Sequence, residues 1–173
     1  GDDPNNWVDE EISIHNLNPY LYPETEDVSK TGVTALYFAY FSRWSMLENY
    51  HFIRDKIDFK TCAKGRTDGT FTNFDSLDDK MDNLYYYMQF IKFGFGRSIR
   101  DACRMIQNGQ MTREKALSLA KKYDDEFPYE YFDDVLNYLG MTRDEFDKVV
   151  DMHRNSEIWV KRKEEWTLRY PLV

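Results

Sequence analysis

Between Tyr85 and Ala102 the chain reads YYYMQFIKFGFGRSIRDA, and the glycines at 94 and 96 decide what this stretch can become. A glycine inside a helix costs about 1 kcal/mol relative to alanine, so two of them two residues apart mark a helix end. Before them, Leu77, Met81, Leu84, Met88 and Ile91 alternate steps of four and three, the period of one helical face. Asp75 or Ser76 is the expected cap of that helix. A second helix is expected after Gly96 to about Asn108, with Ile99, Cys103 and Ile106 facing inward. Gly109 then suits the left-handed position past its end.

The same punctuation recurs downstream. Gly109-Gln110-Met111-Thr112-Arg113-Glu114 is echoed by Gly140-Met141-Thr142-Arg143-Asp144-Glu145. In each, glycine stops one helix and threonine caps the next, and Thr142 with Glu145 spells a capping box. These helices should turn Ala116, Leu119, Tyr123 and then Phe146, Val149 and Val150 inward, with one more helix over Tyr131 to Leu139. Ser45 with Glu48 predicts a helix to about Ile57. Val33 to Phe41 (VTALYFAYF) is β-branched and aromatic and reads as a strand. Trp159 to Val173 reads as a short extended closing segment. The expected fold is mainly α, a compact multi-helix domain with a short N-terminal strand and few others. The expected divisions are an extended segment over 1–32, a strand and helix over 33–60, and a helical C-terminal domain over 61–173.

Several runs occur together in a fixed order: DGTFTN (68–73), SLDDK (76–80), IKFGFGR (91–97), GQMTREKA (109–116), KYDDEFP (122–128) and YLGMT (138–142). This order resembles the C-terminal third of the N-acetyl sugar amidotransferases, bacterial enzymes of surface-polysaccharide and O-antigen pathways. The resemblance covers most of the chain from about Val33 onward. It departs where Asn83 and Leu84 precede Tyr85, since the family tends to have His there. Family members are larger and open with a PP-loop ATPase domain marked by Ser-Gly-Gly-x-Asp-Ser, a run absent from this sequence. The resemblance therefore implies a C-terminal piece of a larger enzyme, with residues 33–60 as the end of the nucleotide-binding domain. It implies ATP and magnesium in the full-length enzyme, held outside this piece, and a piece inactive alone. The implied partners are an acetamido or nucleotide-linked sugar, a glutaminase that supplies ammonia, and the chain's own PP-loop domain.

Among side chains that carry chemistry, Lys92, Arg97, Arg100 and Arg104 stand with Asp101 around the expected start of the second helix. Gly94 and Gly96 allow close backbone approach there. A helix N-terminus with free N–H groups and cations is an anion site, so Lys92, Arg97, Arg100 and Asp101 are the candidate substrate residues. Arg97 and Arg100 are expected at the mouth of a cleft. The competing reading pairs these cations with Asp101, Asp78, Asp79 or Asp82 on a solvated face. Asp75, Asp78, Asp79 and Asp82 are explained by a helix N-terminus without any metal. Tyr85, Tyr86 and Tyr87 point in different directions on a helix and favour packing over a sugar platform. No catalytic residue and no metal ligand set emerges.

Composition bounds the rest. The chain has 173 residues and a net charge of −8, which argues against nucleic acid as partner. No apolar run approaches the roughly 20 residues of a membrane span. Cys62 and Cys103 lack a CxxC partner, which fits a reduced, cytoplasmic setting. Aromatic residues make up 17% of the chain, enough for either a packed core or a partner surface. The function expected from the resemblance is the substrate-binding or accessory part of an ATP-dependent amidotransferase that turns an acetamido group into an acetamidino group. The alternative is an interaction module that docks the glutaminase or forms a homodimer.

Overall fold

A computed structural model describes residues 3–172 and divides into two units, 1–43 and 44–173. Each helix boundary of the second unit has a chemical cause. The helix α2 (Met46–Ile57) starts where the Ser45 hydroxyl accepts from the Glu48 N–H. Helix α3 (Asp82–Phe93) ends at Gly94, whose φ of 75° is left-handed. Helix α4 (Arg97–Gln107) follows directly, and Gly109 takes the left-handed position after it. Helices α5 (Arg113–Tyr123) and α7 (Arg143–Met152) open on Thr112 and Thr142, the second with a complete capping box. Between them lies α6 (Phe132–Leu139). An antiparallel hairpin of β1 (Trp159–Arg162) and β2 (Glu165–Leu168) closes the chain, where only an extended segment was expected.

The core of this unit is aromatic and built from distant segments. Leu84, Phe90 and Ile91 of α3 meet Phe132, Val135 and Leu136 of α6, Phe146 and Val150 of α7, and Trp159 of β1. Phe90 and Trp159 meet edge to face at 5.2 Å, as do Phe132 and Phe146 at 5.0 Å, geometries that add to area burial. The Trp159 indole N–H also donates to the Ile91 carbonyl at 2.6 Å. That carbonyl lies in the last turn of α3, where no further helical N–H is available. One side chain thus fills the core and closes the helix.

The first unit is a series of short turns. Three 3₁₀ turns, Pro4–Trp7, Asn18–Tyr20 and Phe38–Tyr40, flank α1 (Thr25–Lys30), and none of its described residues is buried. The strand expected over Val33 to Phe41 does not form: Phe38–Tyr40 is a 3₁₀ turn with hydrogen bonds local to it. Strand propensity reports the fit of a side chain to a pleated, half-buried surface, and no neighbouring strand supplies one among the described residues. The expected 33–60 segment is also divided, since Val33 to Phe41 falls in the first unit and α2 in the second.

Candidate functional site

The inward face of α4 is polar. Arg97, Ser98, Asp101 and Ala102 are buried, whereas Cys103 and Ile106, expected inside, are exposed and Ile99 is half-buried. The helix stands where expected, but hydrophobic spacing assigns it the wrong inward face, because its partners are polar groups from other segments.

Arg97 is 1% exposed and does not face a cleft mouth. Its Nη2 donates to the Asp75 carbonyl at 2.7 Å and approaches Asp75 Oδ2 at 3.5 Å, while Nη1 donates to Asn83 Oδ1 at 3.4 Å. Arg100, only partly covered, donates to Asp75 Oδ2 at 2.9 Å and to Asp101 Oδ1 at 3.0 Å. The two guanidinium carbons lie 4.6 and 4.3 Å from the centroid of the Tyr86 ring. Asp101 in turn accepts from the buried Thr70 hydroxyl at 2.7 Å. Two arginines and two aspartates thus balance in charge around one tyrosine. Asp75 belonged to the acidic group already noted. Its pairing with Arg100, 25 residues away, has no local signature.

Lys92 and Arg104 stand apart from this cluster. Lys92 is exposed with its ammonium 5.3 Å from the Phe93 ring centroid, and Arg104 reaches Met46 Sδ at 3.0 Å. Asp78, Asp79 and Asp82 do not pair with the arginines. Asp78 and Asp79 precede α3, which starts at Asp82, later than expected. Ser76 takes a left-handed φ of 53°, and Asp79 accepts from the Met81 N–H, turning the chain before the helix starts.

The glycines have structural work. A Cβ on Gly94 would lie 2.6 Å from Ile158 Cγ2 and 3.2 Å from Leu168 Cδ2, so only glycine lets the hairpin close on this turn. A Cβ on Gly96 would strike the Asp124 carbonyl. The N-terminus of α4, the expected anion site, already holds an anion. Asp124 accepts from the Gly96 N–H at 2.7 Å and the Ile99 N–H at 2.8 Å. Burial raises the Asp124 carboxyl above its ordinary value, against those two hydrogen bonds, which lower it.

The neighbouring Glu126 performs a parallel task. Its two oxygens receive Arg66 Nη1 and Nη2 at 2.6 and 2.5 Å, and the Gly69 N–H donates at 2.8 Å. Partial burial pushes this carboxyl up, but Arg66 and Gly69 together bring it below its ordinary value. So the DGTFTN run, the FGFGR turn and the KYDDEFP run hold one another. The arrangement does not fit an ATP phosphate: the helix N–H groups and both arginines are already engaged with carboxylates of the chain. Nothing in local spacing marks Asp124, Glu126, Thr70 and Arg66 as site residues. Their place in the ordered runs was the signal that could have found them.

Residues 68–171 match the family model of the C-terminal domain of WbpG-like LPS biosynthesis proteins. The match spans more than half of the chain, and the chain belongs to that family. The matched residues contain the whole interlock except Arg66. No curated protein matches the chain. Among the described residues, no helix is long and apolar enough to cross a membrane.

Proposed function

We propose that the chain is the C-terminal, substrate-side part of an ATP-dependent amidotransferase acting on an acetamido sugar during LPS biosynthesis. The observation that carries this reading is the match over residues 68–171 to an LPS biosynthesis family, joined to the resemblance of the same motifs to N-acetyl sugar amidotransferases. In this reaction ATP activates the acetamido carbonyl oxygen, and ammonia from a glutaminase adds to that carbon. The activated oxygen then leaves with the phosphorus fragment of ATP, and an acetamidino group remains. ATP and magnesium act on a part of the enzyme outside these residues. The interlock of Arg97, Arg100, Asp75 and Asp101 supports a role for this domain as a rigid wall, since preorganised positioning needs locked side chains.

The test is to supply the intact enzyme with ATP, magnesium, the glutaminase and glutamine, and a panel of acetamido sugars. Mass spectrometry should find oxygen replaced by NH in a product that requires both ATP and ammonia. Absence of that product across the panel would remove the reading.

A second reading, an interaction module for the glutaminase or a second copy, is favoured by the apolar side chains that the first unit leaves in water. Tyr22, Tyr37 and Tyr40 are 94%, 89% and 87% exposed, and Phe38 and Phe41 lie open between and beside them. Sedimentation of the chain with and without the glutaminase separates the readings. A complex that survives loss of Lys92 and Arg97 supports the module.

A further inference from the structure

Helix α4 buries its polar side and leaves its apolar side partly open. Ile99, Cys103 and Ile106 fall at steps of four and three, which is one helical face. With Leu117 of α5 and Leu172 they line a hollow of about 120 Å³. Among the described residues of its wall, only Arg113 is charged. An amphipathic helix in water covers such a stripe, yet Cys103 and Ile106 remain exposed.

Charge says what covers it. From Arg97 to Tyr123 the sequence has seven lysines and arginines against two carboxylates, in a chain of net charge −8. Arg97 and Arg100 are engaged with Asp75 and Asp101. Arg104, Arg113, Lys115, Lys121 and Lys122 are exposed, and none makes an ion pair among the described residues. Residues 1–43 have the opposite balance, eight carboxylates against Lys30 and Arg43. Within them, 7–14 (WVDEEISI) sets carboxylates beside apolar side chains. The Asp9 N–H donates to the Ile12 carbonyl at 3.0 Å, and the Asp9 carboxylate accepts from the Glu11 and Ile12 N–H groups at 2.8 and 2.7 Å. That turn puts Glu10 and Glu11 at its tip, unpaired among the described residues. Trp7 and Val8 stand exposed on one side of it, Ile12 and Ile14 on the other. The aromatic run 33–41 has no carboxylate to answer Arg113.

We propose that the α4–α5 hollow receives residues 7–14 of a second copy of this chain, with an apolar side chain inside it and the Glu10–Glu11 tip against Arg113. Two-fold symmetry makes the exchange reciprocal, each copy giving one segment and receiving one. The inference rests on the interaction-module reading above and names a second copy, not the glutaminase, as the occupant of this face.

Sedimentation equilibrium of the 173-residue chain should show monomer and dimer in exchange, with a Kd of about 10–100 μM, as two short segments give. Raising salt from about 0.05 to 0.5 M should weaken the dimer about tenfold. Arg113→Glu places an acid in the first turn of α5, where the helix dipole favours it, so the fold holds. Glu10→Lys with Glu11→Lys changes an exposed tip whose turn Asp9 maintains. Each variant alone should weaken the dimer at least about tenfold, since like charges then meet. Mixed in equal amounts they should dimerise again, because each offers the charge that the other now requires. Cys103 lines the hollow, so its alkylation by iodoacetamide should slow as the dimer forms. A chain monomeric at millimolar concentration, a dimer indifferent to both variants, or a mixture that does not recover overturns the exchange. So does binding to phosphatidylglycerol vesicles, lost in Arg113→Glu, by a chain that never dimerises. Glutaminase binding by a monomeric chain overturns the exchange and leaves the module reading, whereas binding to neither removes both.

Discussion

Asp124 closes the N-terminus of α4 from outside it, through Gly96 N–H at 2.7 Å and Ile99 N–H at 2.8 Å. An N-cap residue ordinarily does this from within the same turn. Here Gly96 occupies the cap position with no side chain of its own, and the carboxylate arrives from just past the end of α5. The pairing ties α4 to α5 and spends the helix's anion-binding capacity on the fold. Asp124→Ala leaves two buried donors unsatisfied and should cost about 2–4 kcal/mol. Asp124→Asn keeps one acceptor and should cost less. Urea denaturation of both variants checks the order.

Gly96 tests the same junction from the other side. Its φ of −109° is open to any residue, so a substitution there meets only the steric conflict with the Asp124 carbonyl. Gly96→Ala should cost about 2–3 kcal/mol by displacing that strand of chain. Gly109→Ala meets open space and pays only for its left-handed φ of 69°, about 1–2 kcal/mol. Melting curves should therefore rank Gly96→Ala as the more damaging. The reverse order would mean that backbone strain outweighs the contact.

These two positions also mark where the sequence was legible. Helix stops at Gly94, Gly109 and Gly140 and starts at Ser45, Thr112 and Thr142 follow from local chemistry, and the structure has all of them. The inward face of α4 does not follow, because periodicity assumes that the apolar side is buried. Arg97 and Asp101 are buried by partners at Asp75 and Thr70, contacts 22 and 31 residues apart in sequence. Likewise VTALYFAYF has the composition of a strand but, among the described residues, no neighbouring strand to pair with. Local propensity was readable, and the non-local polar pairing that decides the site was not.

Glu126 and Asp124 should give opposite pH slopes. Glu126 has a lowered carboxyl in the folded state. Its stabilisation is present above the unfolded value and is lost as pH falls through the folded one. Asp124 is raised, so its contribution declines as pH rises upward from its ordinary 3.8. Glu126→Gln should therefore flatten the loss of melting temperature seen below the ordinary glutamate value of 4.5. Asp124→Asn should remove the opposing slope. Melting temperatures across the acid range, with each variant against the parent, read both signs. An unchanged acid slope in Glu126→Gln would mean that the Arg66 pair adds nothing to stability.

The last expectation concerns what Arg97 is for. Its guanidinium is wholly buried, lies over Tyr86, and serves Asp75 and Asn83. Removing it takes the donor from the Asp75 carbonyl and the Asn83 amide oxygen, and the truncation opens a void as well. Arg97→Ala should therefore cost on the order of 3 kcal/mol in stability. Arg97→Lys should not restore it, since an ammonium cannot reach Asp75 and Asn83 together in a planar fork. Arg100 is partly exposed and shares Asp75 and Asp101, so Arg100→Ala should cost about 1–2 kcal/mol. In the intact enzyme, turnover per folded molecule should hold for Arg100→Ala. For Arg97→Ala it should hold as well once the folded fraction is allowed for, since no contact of its guanidinium lies outside the fold. Denaturation and kinetics run in parallel decide between this and a direct anion contact. A collapse of turnover with an unshifted melting curve would show that the arginines hold a ligand instead of the fold.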